Sequence, residues 1–231
     1  MRARNEDALH VDAGGRFAVL ADGMGGYRGG DVASSLSVET VANVFGGRGS
    51  AELDSDAAAR LAFDATLLAN AEIYRAGRRN PSLAGMGSTL LIAVFLADEL
   101  LSAHVGDSRL YRMRAGGLRQ LTRDHTMLQE QVDAGLIDAE EASRFAYRGL
   151  LTRGLGVADE VVPDLGFHDI QADDVFLLCS DGLTDMLDDQ RIAVLLGAGD
   201  DVQRCAEALV EAANLQGGRD NVSAIVARLV V

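Results

Sequence analysis

Ser88-Thr89-Leu90-Leu91-Ile92-Ala93-Val94-Phe95-Leu96 is followed closely by Leu101-Ser102-Ala103-His104-Val105 and by Arg109-Leu110-Tyr111-Arg112-Met113-Arg114. Each stretch is short, apolar or alternating, and rich in strand-forming residues, which predicts three successive strands. Ala115-Gly116-Gly117 reads as a hairpin turn after the third. Upstream, Phe17–Ala21 reads as a short buried strand, and Asp22-Gly23-Met24-Gly25-Gly26 as a loop. A helix is predicted over Gly30–Phe45, where Ala33, Val38, Val41, Val44 and Phe45 share one broad face, with Gly46-Gly47 as its stop. A second runs from Ser55, its expected N-cap, to Ala76, with Gly77 as the stop signal. Downstream, 126–145 is helical and polar, Val161–Ile170 and Val175–Cys179 read as strands, and Asp189–Leu196 and Val202–Asn214 as helices. Val222–Val231 closes the chain as an apolar, β-branched strand. Strands and helices thus come in blocks rather than in strict alternation. That pattern favours an α+β layered fold with antiparallel sheets over a doubly wound parallel one.

The 231 residues are enough for one large domain, and 48% of them are hydrophobic, so a sizeable core can form. With 21 Lys+Arg against 35 Asp+Glu the net charge is −14. Such a balance argues against nucleic-acid binding, which rests on basic residues neutralising phosphates. The two cysteines, Cys179 and Cys205, have no metal-ligand or disulfide spacing. No apolar run reaches the length of a membrane span and no signal-peptide stretch opens the sequence, so a reduced, cytoplasmic location is expected.

Three acidic residues stand at ends of predicted buried strands: Asp22, Asp181 and Asp220. Singly, an Asp-Gly at a strand end is a turn signal, because Asp caps locally and Gly permits positive φ. Gathered at one end of a core, several carboxylates repel unless cations or protons compensate. Oxygen donors of this kind suit Mg²⁺ or Mn²⁺ rather than zinc. Asn5-Glu6-Asp7 adds two carboxylates, and Gly106-Asp107-Ser108-Arg109 one more at a strand-to-strand turn.

In order along the chain come Arg2-x-x-Asn5-Glu6-Asp7, Phe17–Gly26 with its Asp22-Gly23-Met24-Gly25-Gly26, Gly87-Ser88-Thr89-Leu90, Val105-Gly106-Asp107-Ser108-Arg109, Leu121-Thr122-Arg123-Asp124-His125, Leu178-Cys179-Ser180-Asp181-Gly182-Leu183 and Asp220-Asn221-Val222-Ser223. Each is weak alone, but the ordered set resembles the PPM (type 2C) family of metal-dependent serine/threonine phosphatases, in its bacterial branch. The resemblance implies a single domain over residues 1–231, a four-layer α-β-β-α sandwich of two antiparallel sheets. It implies two core Mn²⁺ or Mg²⁺ ions and a possible third. Asp22 would bridge the two core ions, Asp181 and Asp220 would complete one, and Glu6 with the Gly23 carbonyl the other. Asp7 would act through water, and Asp107 with Asp181 would hold the third. Arg2 would clamp the substrate phosphate, Asn221 would support Asp220, and 126–147 would be the flap beside the active site. The implied reaction is attack of a metal-activated hydroxide on phosphoserine or phosphothreonine. The substrates would be phosphoproteins, with a bacterial Ser/Thr kinase as the opposing partner.

Two features depart from the family pattern. The family usually has a strand before its first Arg motif, and this sequence begins inside that motif. Many eukaryotic relatives place a histidine after Asp-Gly, where Met24 stands here; His10, His104, His125 and His168 all lie elsewhere. The alternative reading is a catalytically silent module of the same fold that binds phosphoproteins. Loss of Asp22, Asp181 or Asp220 would mark such a module, and all three are present.

Overall fold

Phe17, Val19 and Ala21 belong to one hydrophobic core and Ala18 and Leu20 to another, and all five are buried. A strand apolar on both faces must lie between two layers. The computed structural model describes residues 4–25, 29–46, 53–138, 141, 145, 147, 149–199 and 201–230. Its elements are β1 (Asp7–Val11), β2 (Phe17–Met24), α1 (Gly30–Gly46), α2 (Ser55–Arg79), β3 (Gly87–Ser88), β4 (Leu90–Phe95), β5 (Glu99–Val105), β6 (Arg109–Arg114), β7 (Gly117–Gln120), α3 (Met127–Asp133), β8 (Asp164–Asp169), β9 (Val175–Cys179), α4 (Asp181–Thr184), α5 (Asp189–Leu196), α6 (Val202–Leu215) and β10 (Ala224–Arg228).

One sheet has the order β1-β2-β4-β5-β8, with β3 against the end of β2; the other runs β10-β9-β6-β7, and the pairings are antiparallel. Three cores separate four layers. Helices α1 and α2 pack Ala33, Val41, Ala62 and Ile73 onto Val19, Ile92 and Ala103 of the first sheet. Between the sheets, Leu20, Leu91 and Leu100 meet Leu110, Phe176 and Leu178. Beyond the second sheet, Ile192, Leu196 and Leu209 of α5 and α6 cover Val175, Leu177 and Cys179. Alternation with period two sends successive β9 residues to different cores, which is why that strand reads as one unbroken apolar run. Both cysteines are buried and free, and no helix among the described residues is long and apolar enough to cross a membrane.

Several boundaries differ from the expectation. Asp22-Gly23-Met24 is strand, not loop, because Gly23 and Met24 pair with Ser88 and Gly87. The predicted strand 88–96 breaks at Thr89, whose Oγ1 accepts from the Asp22 amide (2.9 Å) and shares a hydrogen bond with Ser108 Oγ (2.8 Å). Strand β1 was not anticipated. Helix α2 is capped by Asp54, whose Oδ1 accepts from the Ala57 amide at 2.7 Å, and it runs through Gly77 to Arg79. Where a helix was expected over 126–145, α3 ends at Asp133, and Gly135 follows with φ 68°; part of the remainder lies outside the described residues. Strand β8 starts only after Pro163, and β10 spans Ala224–Arg228 rather than Val222–Val231.

Candidate metal centre

Strands β1 and β2 pair Asp7 with Asp22 in register, so two carboxylates stand side by side on the first sheet. From the second sheet, β9 ends at Cys179, Ser180 is the N-cap of α4, and Asp181 is that helix's first residue. Asp107 lies in the turn that carries the chain from β5 in the first sheet to β6 in the second. Asp220 precedes β10 and accepts from the Asn221 amide at 2.7 Å. Glu6, Asp22, Gly23, Asp107, Asp181 and Asp220 line one cleft of about 540 Å³, together with Met24, Thr89 and residues 149–154.

Glycine makes the convergence possible at two places. A Cβ on Gly23 would sit 2.0 Å from the Gly30 carbonyl oxygen, and one on Gly182 would sit 1.9 Å from that of Asn221. The Glu6 Oε1 and the Gly23 carbonyl oxygen both lie within 3 Å of a Cβ position at Gly30, so these two oxygens share one corner. Asn221 ties the termini of the motif set together: its Oδ1 accepts from the Glu6 amide (2.9 Å) and its Nδ2 donates to the Arg4 carbonyl (3.1 Å). Asp7 stands behind Asp22 and does not line the cleft; its Oδ2 accepts from Ser180 Oγ at 2.9 Å.

Crowding of acids out of water sets the electrostatics. Burial, then the charges of Asp7 and Asp181, pushes Asp22 up to about 10. Burial pushes Asp107 up to about 7 and Asp181 up to about 6, and raises Asp7. Asp7 Oδ1 and Asp181 Oδ1 are buried without a hydrogen-bond partner. Buried polar atoms of this kind call for a partner. A cleft of carboxylate and carbonyl oxygens, lined by neither His nor Cys, fits a hard divalent cation.

The structure therefore brings six of the predicted residues to one cleft and places Asp7 directly behind them. Arg2 lies outside the described residues. Sequence reasoning missed three neighbours. Arg153 lines the cleft, with Nη1 2.6 Å from Asp164. Thr89 lines it too and braces the Asp22 amide. Asp185 joins Asp107 and Asp181 around an adjoining pocket. Its spacing of one helical turn from Asp181 was the available signal.

The family model "Protein phosphatase 2C" matches residues 2–217. The serine/threonine protein phosphatase PstP of Mycobacterium tuberculosis is 41% identical over 231 residues, covering 100% of this chain and 43% of its own length. The chain thus spans less than half of that curated relative. Protein phosphatase PhpP of Streptococcus pneumoniae is 33% identical over 226 residues, covering 96% of this chain and 90% of its own length. Among solved structures, the catalytic domain of PstP in complex with two manganese ions superposes with a TM-score of 0.87 at 38% identity, over 100% of this chain and 94% of that one. From the Arg2 motif through the strands and glycines that gather the acidic cleft, this chain belongs to the protein phosphatase 2C family.

Proposed function

We propose that the chain is a metal-dependent protein serine/threonine phosphatase, folded as one catalytic domain with 126–147 as its flap. The observation that carries this reading is the convergence of Asp22, Asp181, Asp220 and Glu6 on one cleft, where burial and the neighbouring carboxylates raise Asp22 far above its ordinary value and a cation would offset the crowded charge. Two Mn²⁺ or Mg²⁺ ions would be held there by Asp22, Asp181 and Asp220 on one side and by Glu6 and the Gly23 carbonyl on the other, with Asp107 and Asp181 available for a third. The related PstP catalytic domain holds two manganese ions. Bound divalent ions supply a nucleophile at neutral pH by lowering the pKa of water and stabilise charge on the phosphoryl oxygens.

The residues of the chain do the rest. Thr89 and Ser108 lock the β2 end on which Asp22 sits. Ser180 fixes one oxygen of Asp7, leaving Oδ1 to orient water. Asn221 holds the Glu6 and Asp220 segments in one register. Arg2 is assigned to the substrate phosphate, since a guanidinium fork matches phosphate oxygens. The substrates are phosphoproteins, in the cytoplasm, opposite a Ser/Thr kinase. The silent phosphoprotein-binding alternative is disfavoured by the intact acidic set.

Hydrolysis of a phosphothreonine peptide, with and without Mn²⁺, tests the reading in wild type and Asp22→Asn. Turnover is expected only with added metal and is expected to fall by orders of magnitude in the variant. Full turnover in excess EDTA would refute it.

A further inference from the structure

His125 is 3% exposed, and its hydrogen bonds and ion pair go not to the candidate ligand carboxylates but to the segments around them. Its backbone amide donates to the Gly106 carbonyl (3.0 Å), and its Nδ1 accepts from the Gly106 amide (3.1 Å). Both backbone polar groups of Gly106 are therefore bonded to one residue. Gly106 has φ 104°, and a Cβ there would lie 2.6 Å from Thr89 Cγ2, so the turn admits no other residue. The next residue is Asp107. On the far side, the His125 carbonyl accepts from the Thr152 amide (2.9 Å), and its Nε2 lies 3.3 Å from Asp164 Oδ2. Asp164 in turn holds Arg153 of the cleft wall. The ring stacks on His104 at 4.6 Å between centroids.

Proximity alone would make His104, His125 and Asp164 a cation site, since their ligand atoms lie within 4.8 Å of one another. The hydrogen bonds argue otherwise. A His125 Nδ1 that accepts from an amide places the ring proton on Nε2, which leaves no lone pair for a metal. His104 Nε2 lies 2.8 Å from the Arg123 carbonyl, which only accepts, so this nitrogen is also protonated. With both His125 nitrogens committed, at most His104 Nδ1 and Asp164 are left to a cation, and the cluster serves as a bracket.

We propose that His125 is a positioning residue for Asp107. Resting on the reading of the cleft as a phosphatase centre, the inference is that the Nδ1 contact with the Gly106 amide sets where the Asp107 carboxylate stands. His125 thereby controls binding of the third cation without touching it. A neutral acceptor at the Nδ1 position is what the bracket needs; charge on the ring is not.

Mn²⁺ titration of the purified protein by calorimetry, with turnover measured in parallel, tests this. Wild type should bind a weaker third ion after two tighter ones. His125→Ala should keep the two and lose roughly tenfold or more in affinity for the third. Asp107→Ala and the double variant His125→Ala/Asp107→Ala should behave alike, because the imidazole acts only through that carboxylate. His125→Asn, whose Oδ1 can replace Nδ1, should restore the third ion, and His125→Gln should not. Should His125→Ala fail to fold, the Asn and Gln pair decides. Unaltered third-ion affinity in His125→Ala, additive losses in the double variant, or rescue by Gln rather than Asn would each overturn the proposal. So would a wild type that binds two ions only. A wild type that binds no Mn²⁺ would overturn the reading of the cleft as well.

Discussion

Asp22 is pushed up to about 10 and Asp107 to about 7, against an ordinary value of 3.8. Between those values the folded chain keeps protons that the unfolded chain has released, so stability falls as pH rises through the interval. His125 acts in the opposite sense. Burial lowers it to about 4 from 6.5, so its contribution is complete above pH 6.5 and is lost as pH falls towards 4. Above pH 7 the acids dominate. In EDTA the melting temperature should therefore drop between pH 7 and pH 8.5, with Asp22 contributing up to about 1.4 kcal/mol per pH unit. Added Mg²⁺ should raise stability more at pH 8.5 than at pH 7, because the cation displaces protons. Asp22→Asn should flatten the metal-free slope and melt higher than wild type at pH 8.5 while turnover is lost. Melting curves across that range check all three; a level metal-free profile in wild type would refute the acid crowding.

Two substitutions separate elements that place the site from elements that only support it. Gly182, the second residue of α4, lies against the Asp220–Asn221 segment, and a Cβ there would meet the Asn221 carbonyl at 1.9 Å. Gly182→Ala should cost about 1–3 kcal/mol through overpacking and also weaken Mn²⁺ binding. Asp54→Ala, at the cap of α2, should cost about 1 kcal/mol and leave Mn²⁺ affinity unchanged. Urea unfolding paired with Mn²⁺ titration distinguishes them. The elements that sequence reasoning placed well are those with two buried faces or a steady helical stripe, β9, α1, α5 and α6. Those it misjudged depend on partners distant in sequence. Asp22-Gly23-Met24 reads as a loop until Ser88 is seen beside Gly23, and β1 is short, polar at its start and defined by pairing with β2. The acidic site was legible through the ordered motifs, since Asp-Gly at a strand end survives as a signal. Arg153 carried no comparable mark, because its place in the cleft comes from a segment folded back over Ser88 and His125.

At the end of the sandwich away from the cleft, charged residues close the two sheets on each other. Arg114 of β6 donates from Nε and Nη2 to the fully buried Asp174, at 2.7 Å each, and both Arg112 and Arg114 reach Asp169 of β8 in the other sheet. Asp174→Ala would strip this clamp of one carboxylate and should lower stability, while Arg114 keeps its pairing with Asp169. Mn²⁺ affinity should be untouched, since the clamp sits five residues along β6 from Arg109 at the cleft end; urea unfolding and metal titration of the variant check both statements. The cleft itself draws its lining carboxylates from both sheets, with Asp22 on one, Asp181 at the end of the other and Asp107 on the crossing between them. The ion assigned to Asp22, Asp181 and Asp220 would need both sheets, whereas Glu6, Asp22 and the Gly23 carbonyl all lie on or beside the first, and the difference bears on the kinetics of folding. The ion that spans the sheets can bind fully only after they have docked, so it has little to hold in the transition state and acts chiefly by slowing unfolding. The chain must bring its acids together against their own repulsion, and the ion then works as a latch fastened after the door has closed.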